Sequence, residues 1–137
     1  MKTYLGVDLG GTNIRVAIIT HDGSILEEIK RPSLSDQGPE VVLDNIIDMV
    51  KTLNGYETCL GMGIGVPGPV DTVNGSVTLS TNLKGFTGFP VVEYLSKVFD
   101  MPIYMDNDAN VAGLAEAVLG AGKDLPIVYY VTHSTGI

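Results

Sequence analysis

The sequence has one cysteine and no tryptophan among its 137 residues. Cys59 alone closes no internal disulfide and builds no multi-thiolate zinc site. Positive charge is also scarce. Eight Lys and Arg stand against sixteen Asp and Glu, a net charge of −8, so the clustered cations that grip a phosphate backbone are missing and nucleic acid is not an expected partner. No uninterrupted apolar run approaches the roughly 18 residues of a bilayer span, and Met1-Lys2 with its short apolar sequel does not read as a signal peptide. No membrane partner is expected, and the expected location is cytoplasmic. Disorder is excluded as well, because hydrophobic residues reach 45% and charged ones only 18%. A mean hydropathy of +0.26 implies a real core or a contact surface. Against roughly 150 residues per domain, the length suits one unit, so any function that needs two lobes is incomplete in it.

What is present is a regular succession of short apolar runs and turn signals. Residues 4 to 9 and 14 to 20 read as strands separated by Gly10-Gly11, and Asp22-Gly23 is a two-residue hairpin signal leading to a third strand over about 24 to 31. Pro39 suits a first helical position, and Leu43, Ile46, Ile47, Val50 and Leu53 follow at helical spacing until Asn54-Gly55. Residues 60 to 66 read as a buried strand ended by Pro67-Gly68-Pro69, Asn74-Gly75 turns a small hairpin, and 80 to 90 is a loop. A helix is expected over 91 to 99, a strand over 103 to 105, a small-residue helix over 109 to 119 and a last strand over 127 to 132. The order predicts an α/β fold: an antiparallel meander, then alternating units with parallel strands. That opening suits the mixed sheet of a ribonuclease H-like lobe in the sugar kinase and actin superfamily.

Three strings carry candidate chemistry. Asp8-Leu9-Gly10-Gly11-Thr12-Asn13 sets a carboxylate at a strand end before two glycines and a hydroxyl. Such a turn lets backbone N–H groups close on a polyphosphate while Asp8 holds Mg²⁺ through its water shell. The same string suits a glycine hairpin with a capping Asp, and taken alone it does not choose between the two. Gly63-Ile64-Gly65-Val66-Pro67-Gly68 matches the dinucleotide pattern G-x-G-x-x-G literally, yet Pro67 and Pro69 forbid the helix that pattern requires. It reads instead as a strand leading to a rigid loop at the sheet's carboxyl edge, or as plain packing. Asp106-Asn107-Asp108-Ala109-Asn110 lies where a strand gives way to a helix. An ionised Asp108 there suits the acceptor of an alcohol proton during phosphoryl transfer, and Asn107 suits a sugar hydroxyl. One Asp or Asn at such a place is ordinarily a helix cap, but the four Asp and Asn residues within 106 to 110 exceed what a cap needs.

GVDLGGTNIRVAII at 6 to 19, GIGVPGPVD at 63 to 71, TNLKGF at 81 to 86, NDANVAGLAEAVLGAG at 107 to 122 and VTHSTGI at 131 to 137 resemble, in order and spacing, the amino-terminal half of the ROK family of sugar kinases and sugar-responsive regulators. The resemblance implies an ATP-dependent hexose kinase acting with Mg²⁺, most simply on the 6-hydroxyl of glucose, with residues 1 to 137 as the amino-terminal lobe and the carboxyl-terminal lobe absent. It implies Gly10, Gly11 and Thr12 as the first phosphate loop, Asp8 as the metal-associated carboxylate, Asp108 as the catalytic base, Asn107, Asn82 and Gly65 as sugar-pocket residues, and Thr135-Gly136 as the start of the second phosphate loop. Ser134 replaces a glycine of that loop and His133 an apolar residue. The family's zinc site is not in this chain. The chain alone is expected to be inactive and to self-associate as a homo-oligomer through exposed apolar surface. The alternative is the sugar-binding part of a ROK-type transcriptional regulator without its DNA-binding segment.

Overall fold

The computed structural model describes residues 2–22, 24–67, 69–71, 73–78 and 83–107. Among these residues seven strands and two α-helices follow one another: β1 Thr3–Leu9, β2 Asn13–Thr20, β3 Ile25–Pro32, α1 Pro39–Thr52, β4 Met62–Val66, β5 Val70–Asp71, β6 Ser76–Val77, α2 Val91–Ser96 and β7 Ile103–Asn107. Among the described residues the main sheet has five strands in the order β3-β2-β1-β4-β7, and β5 pairs with β6 in a separate ribbon. β1, β2 and β3 are antiparallel neighbours, whereas β4 runs parallel to β1 and β7 parallel to β4. The mixed α/β sheet read from the order of apolar runs is therefore the one observed.

Every residue of β1 and of β4 is buried, as befits central strands covered on both faces. Leu5, Val7, Leu9, Ile14, Val16, Ile18, Met62 and Ile64 form one continuous core with Val42, Leu43, Ile46, Met49 and Val50 of α1 and with Val91 and Leu95 of α2. Helix α1 begins at Pro39, carries Glu40 in its first turn and Lys51 in its last, and so agrees with its own dipole at both ends. Polar contacts fix its angle on the sheet. Arg31 Nη1 of β3 donates to Asp48 Oδ2 at 2.7 Å, and Asn45 Nδ2 donates to the Pro32 carbonyl at 3.1 Å. Tyr94 of α2 donates its hydroxyl to Asp44 of α1 at 2.7 Å. Cys59 is buried, as expected of a small apolar side chain, and its burial pushes the thiol pKa up. No helix among the described residues is long and apolar enough to cross a membrane.

Three local differences from the sequence reading affect the site. The polar loop after β3 contains a 3-10 turn over Ser35–Gln37, preceded by Leu34 in the left-handed region at φ 58° and ψ 36°. Helix α2 stops at Ser96 rather than running to 99. Strand β7 extends through Asp106 and Asn107, past the expected end at 105, because the ladder with Gly65 and Val66 of β4 holds two residues of poor strand propensity extended. Residues 109 to 119 and 127 to 132, read as a helix and a strand, lie outside the described residues.

The left-handed conformation costs a residue with a Cβ about 1–2 kcal/mol, and β-branching crowds it further. Leu34 already bears that cost, so Leu34→Val adds only the crowding of its β-branch and should lower the melting temperature, while Leu34→Asn, whose short polar side chain suits this region, should leave it unchanged or raised; thermal unfolding of the two variants checks this. A second expectation concerns the β5–β6 turn. Asp71 accepts from the N–H of Asn74 and of Val73, each at 3.1 Å, and from Asn74 Nδ2 at 2.7 Å. Those bonds, the Asn74 amide first, hold its pKa below the ordinary 3.8. A lowered folded-state pKa contributes stability above the unfolded value and loses it as pH falls through the folded one. The difference in melting temperature between wild type and Asp71→Ala should thus be full above pH 3.8 and shrink on further acidification, as an acid series of melts would record.

Candidate functional site

The turn from β1 to β2 is short because two glycines make it. The Gly10 N–H donates to the Asn13 carbonyl at 3.0 Å, and a Cβ at Gly10 would lie 3.1 Å from that same oxygen. Glycine is needed here for space and not for a positive φ, since Gly10 and Gly11 are absent from the left-handed glycines of the chain. Among the described residues no backbone hydrogen bond uses the N–H of Gly11 or Thr12. Two such donors at a glycine turn form a concavity suited to an anion.

This turn opens on a cavity of about 150 Å³ lined by Asp8, Gly10, Gly11, Thr12, Asn13, Arg15 and Lys30. Register explains how residues from three strands meet there. Asp8 is the cross-strand partner of Arg15, and Arg15 of Lys30, so the three stand in one row on one face of the sheet. Asp8 is only 6% exposed at the carboxyl end of β1. Arg15 lies 3.6 Å from Glu28 Oε2, a long and partly exposed pairing that leaves most of the guanidinium's donors unspent. Lys30 makes no ion pair among the described residues. Two of the eight Lys and Arg residues of an acidic chain thus share one small cavity with a two-glycine turn.

The row continues through β4 and β7. Gly65 is the register partner of Asp8 and of Asp106, and Val66 is that of Asn107. Because β1, β4 and β7 are parallel, their carboxyl ends meet at one edge of the sheet, the edge at which open α/β sheets bind ligands. The Asn107 end of β7 sits two strand spacings, roughly 10 Å, from the end of β1. Strand β4 passes into the β5–β6 ribbon and not into a helix, so the G-x-G-x-x-G string is no dinucleotide turn.

The structure therefore brings together Asp8, Gly10, Gly11 and Thr12, with Gly65 and the backbone of Asn107 on the neighbouring strands. Asn82, Asp108, Thr135 and Gly136 lie outside the described residues. Asn13, Arg15 and Lys30 were not singled out in the sequence. Counting outward from the Gly10-Gly11 turn would have found Arg15, because hairpin pairing sets it opposite Asp8. The donor set suits Mg²⁺ bound to a polyphosphate. Among the described residues no three His, Cys, Asp or Glu side chains cluster as a metal cage, and Mg²⁺ commonly takes one or two carboxylates, with water and phosphate oxygens as its other ligands.

Comparison with known proteins agrees with this fold. The family model described as ROK family matches residues 4–137. The chain is 35% identical over 133 residues to a glucokinase of Thermotoga maritima, covering 97% of this chain and 42% of that protein. Among solved structures, the ROK hexokinase from Thermus thermophilus superposes with a TM-score of 0.71 at 29% identity, covering 88% of this chain and 40% of that one. A ROK family glucokinase from Streptomyces griseus, solved in complex with glucose and AMPPNP, has a TM-score of 0.71 at 27% identity over 79% of this chain and 34% of its own. The chain thus spans about two fifths of the length of the relatives it matches, and it shares the actin-like ATPase fold with them.

The cationic row makes a direct prediction. Removing the Lys30 charge as Lys30→Gln should weaken binding of Mg²⁺-triphosphate about two- to fivefold, the range of a partly exposed ion pair, and should flatten the salt dependence of that binding. Calorimetric titration at two ionic strengths checks both.

Proposed function

The chain belongs to the ROK family, and on that premise we propose that it forms the amino-terminal, phosphate- and sugar-holding part of an ATP-dependent hexose kinase. The observation that carries the reading is the cavity in which a buried carboxylate, a two-glycine turn with unused N–H groups and two cations converge. Phosphoryl transfer is mostly positioning and charge neutralisation, and this wall supplies both. The Gly11 and Thr12 N–H groups and the Thr12 hydroxyl hold phosphate oxygens. Arg15 and Lys30 offset their charge from the β2 and β3 side. Asp8 holds the water shell of Mg²⁺, which when bound neutralises charge on the transferring phosphate.

In this reading the acceptor sugar lies at the adjoining ends of β4 and β7. Asn107 binds a sugar hydroxyl, with Gly65 and Asn82 lining the pocket. Asp108 takes the proton of the attacking hydroxyl, for which the glucose 6-hydroxyl is the proposed case. Thr135 and Gly136 begin the second phosphate loop. Support comes from the parallel register that sets the Asn107 end of β7 beside Gly65 and Asp8, and from the glucose named with the Streptomyces griseus structure.

The test is Asp108→Asn in the full-length protein. Turnover with glucose, ATP and Mg²⁺ should fall by about 10² to 10⁴, the usual weight of a general base, while glucose still binds. Normal turnover in that variant would remove Asp108 from the chemistry. A wild type that binds sugar but never turns over would favour the sugar-responsive regulator over the kinase.

A further inference from the structure

The glycine turn is held from behind by the segment between β3 and α1. Ser33 Oγ donates to the Gly11 carbonyl at 2.9 Å and Ser35 Oγ donates to the same oxygen at 2.6 Å. The Ser33 N–H bonds the next carbonyl, that of Thr12, at 2.9 Å. Ser33 is 1% exposed, and neither serine lines the cavity. Leu34, left-handed, turns the chain between the two hydroxyls. Both lone pairs of one carbonyl are thereby engaged by side chains some twenty residues away in sequence.

A trans peptide is planar, so the Gly11 carbonyl and the Thr12 N–H point in opposite directions. Holding that oxygen toward Ser33 and Ser35 aims the Thr12 N–H away from them, and Thr12, unlike either serine, lines the cavity. The turn needs such a hold because glycine rotates freely. A flip of the Gly11–Thr12 peptide would replace an attractive N–H dipole with a repulsive carbonyl facing the anion. We propose that Ser33 and Ser35 are positioning residues of the phosphate loop, which touch no ligand but fix the Gly11–Thr12 peptide in its anion-binding orientation and so set the affinity for the phosphoryl donor. The inference rests on the reading of this turn as a polyphosphate site.

The experiment measures Mg·ATP and glucose binding, with steady-state rates, in the full-length protein. Ser33→Ala/Ser35→Ala should weaken Mg·ATP about tenfold and raise KM for ATP equally, the scale of one or two lost hydrogen bonds. The glucose Kd and kcat at saturating ATP should move by less than about twofold. Ser33→Thr/Ser35→Thr, which keeps both hydroxyls, should restore ATP affinity. Should the double alanine variant not fold, Ser35→Ala alone, at a half-buried position, decides the matter with an expected loss of about threefold. Unchanged ATP affinity in a folded alanine variant would overturn the clamp, as would equal losses for ATP and glucose. A wild type that binds no Mg·ATP would instead overturn the phosphate reading and the clamp with it, a pattern distinct from either of those.

Discussion

An in-register ladder running from Lys30 through Arg15, Asp8 and Gly65 to Asp106 sets which side chains meet at the glycine turn. A slip of one residue in any strand pair would turn that strand's side chains to the opposite face. Asp8 and the two cations would then point into the Leu5, Val7 and Ile14 core and leave the glycine turn without charge beside it. The register is protected by the same burial that it organises. β1 is buried over its whole length, so moving its apolar set toward Asp8's face would bury the carboxylate among α1 side chains.

From that row the site acquires two unlike properties. The glycine turn supplies donors without side-chain bulk, and glycine by itself is too free to hold them in one orientation. The β3–α1 segment supplies the missing rigidity through Ser33 and Ser35, and α1 in turn fixes that segment through Arg31, Asn45 and Asp48. The core helix and the glycine turn are therefore joined through a few polar contacts, and packing on one face of the sheet bears on the cavity at the other. Charge is disposed with equal economy, because a chain of net charge −8 places two of its eight cations beside this single turn.

Much of this was legible in the sequence. Apolar runs broken by Gly10-Gly11, Pro67 and Asn74-Gly75 marked the succession of strands along the chain, and Pro39 marked the start of α1, because those residues act through local sterics. Asp8 and the glycine turn were legible for the same reason, as was the rejection of a dinucleotide turn at Gly63 to Gly68. The extension of β7 through Asp106 and Asn107 was not legible, since the partner strand imposes it. Nor was the left-handed Leu34, whose side chain has no preference for that conformation. Ser33 and Ser35 looked like ordinary loop residues, and only the chain path shows them meeting one carbonyl. Lys30 needed the count of two hairpin registers before its place beside Asp8 could be seen.

The most direct measurement is an amide NMR titration of the protein with Mg·AMPPNP, followed by glucose. The nucleotide analogue should shift the Gly11 and Thr12 amides downfield, as donors closing on phosphate do, and perturb Arg15 and Lys30 alongside them. Glucose should then perturb Gly65 and Asn107 while leaving Lys30 unmoved. Saturable nucleotide binding that left Gly11 and Thr12 in place, with its shifts gathered elsewhere in the chain, would contradict the assignment of this turn as the phosphate site.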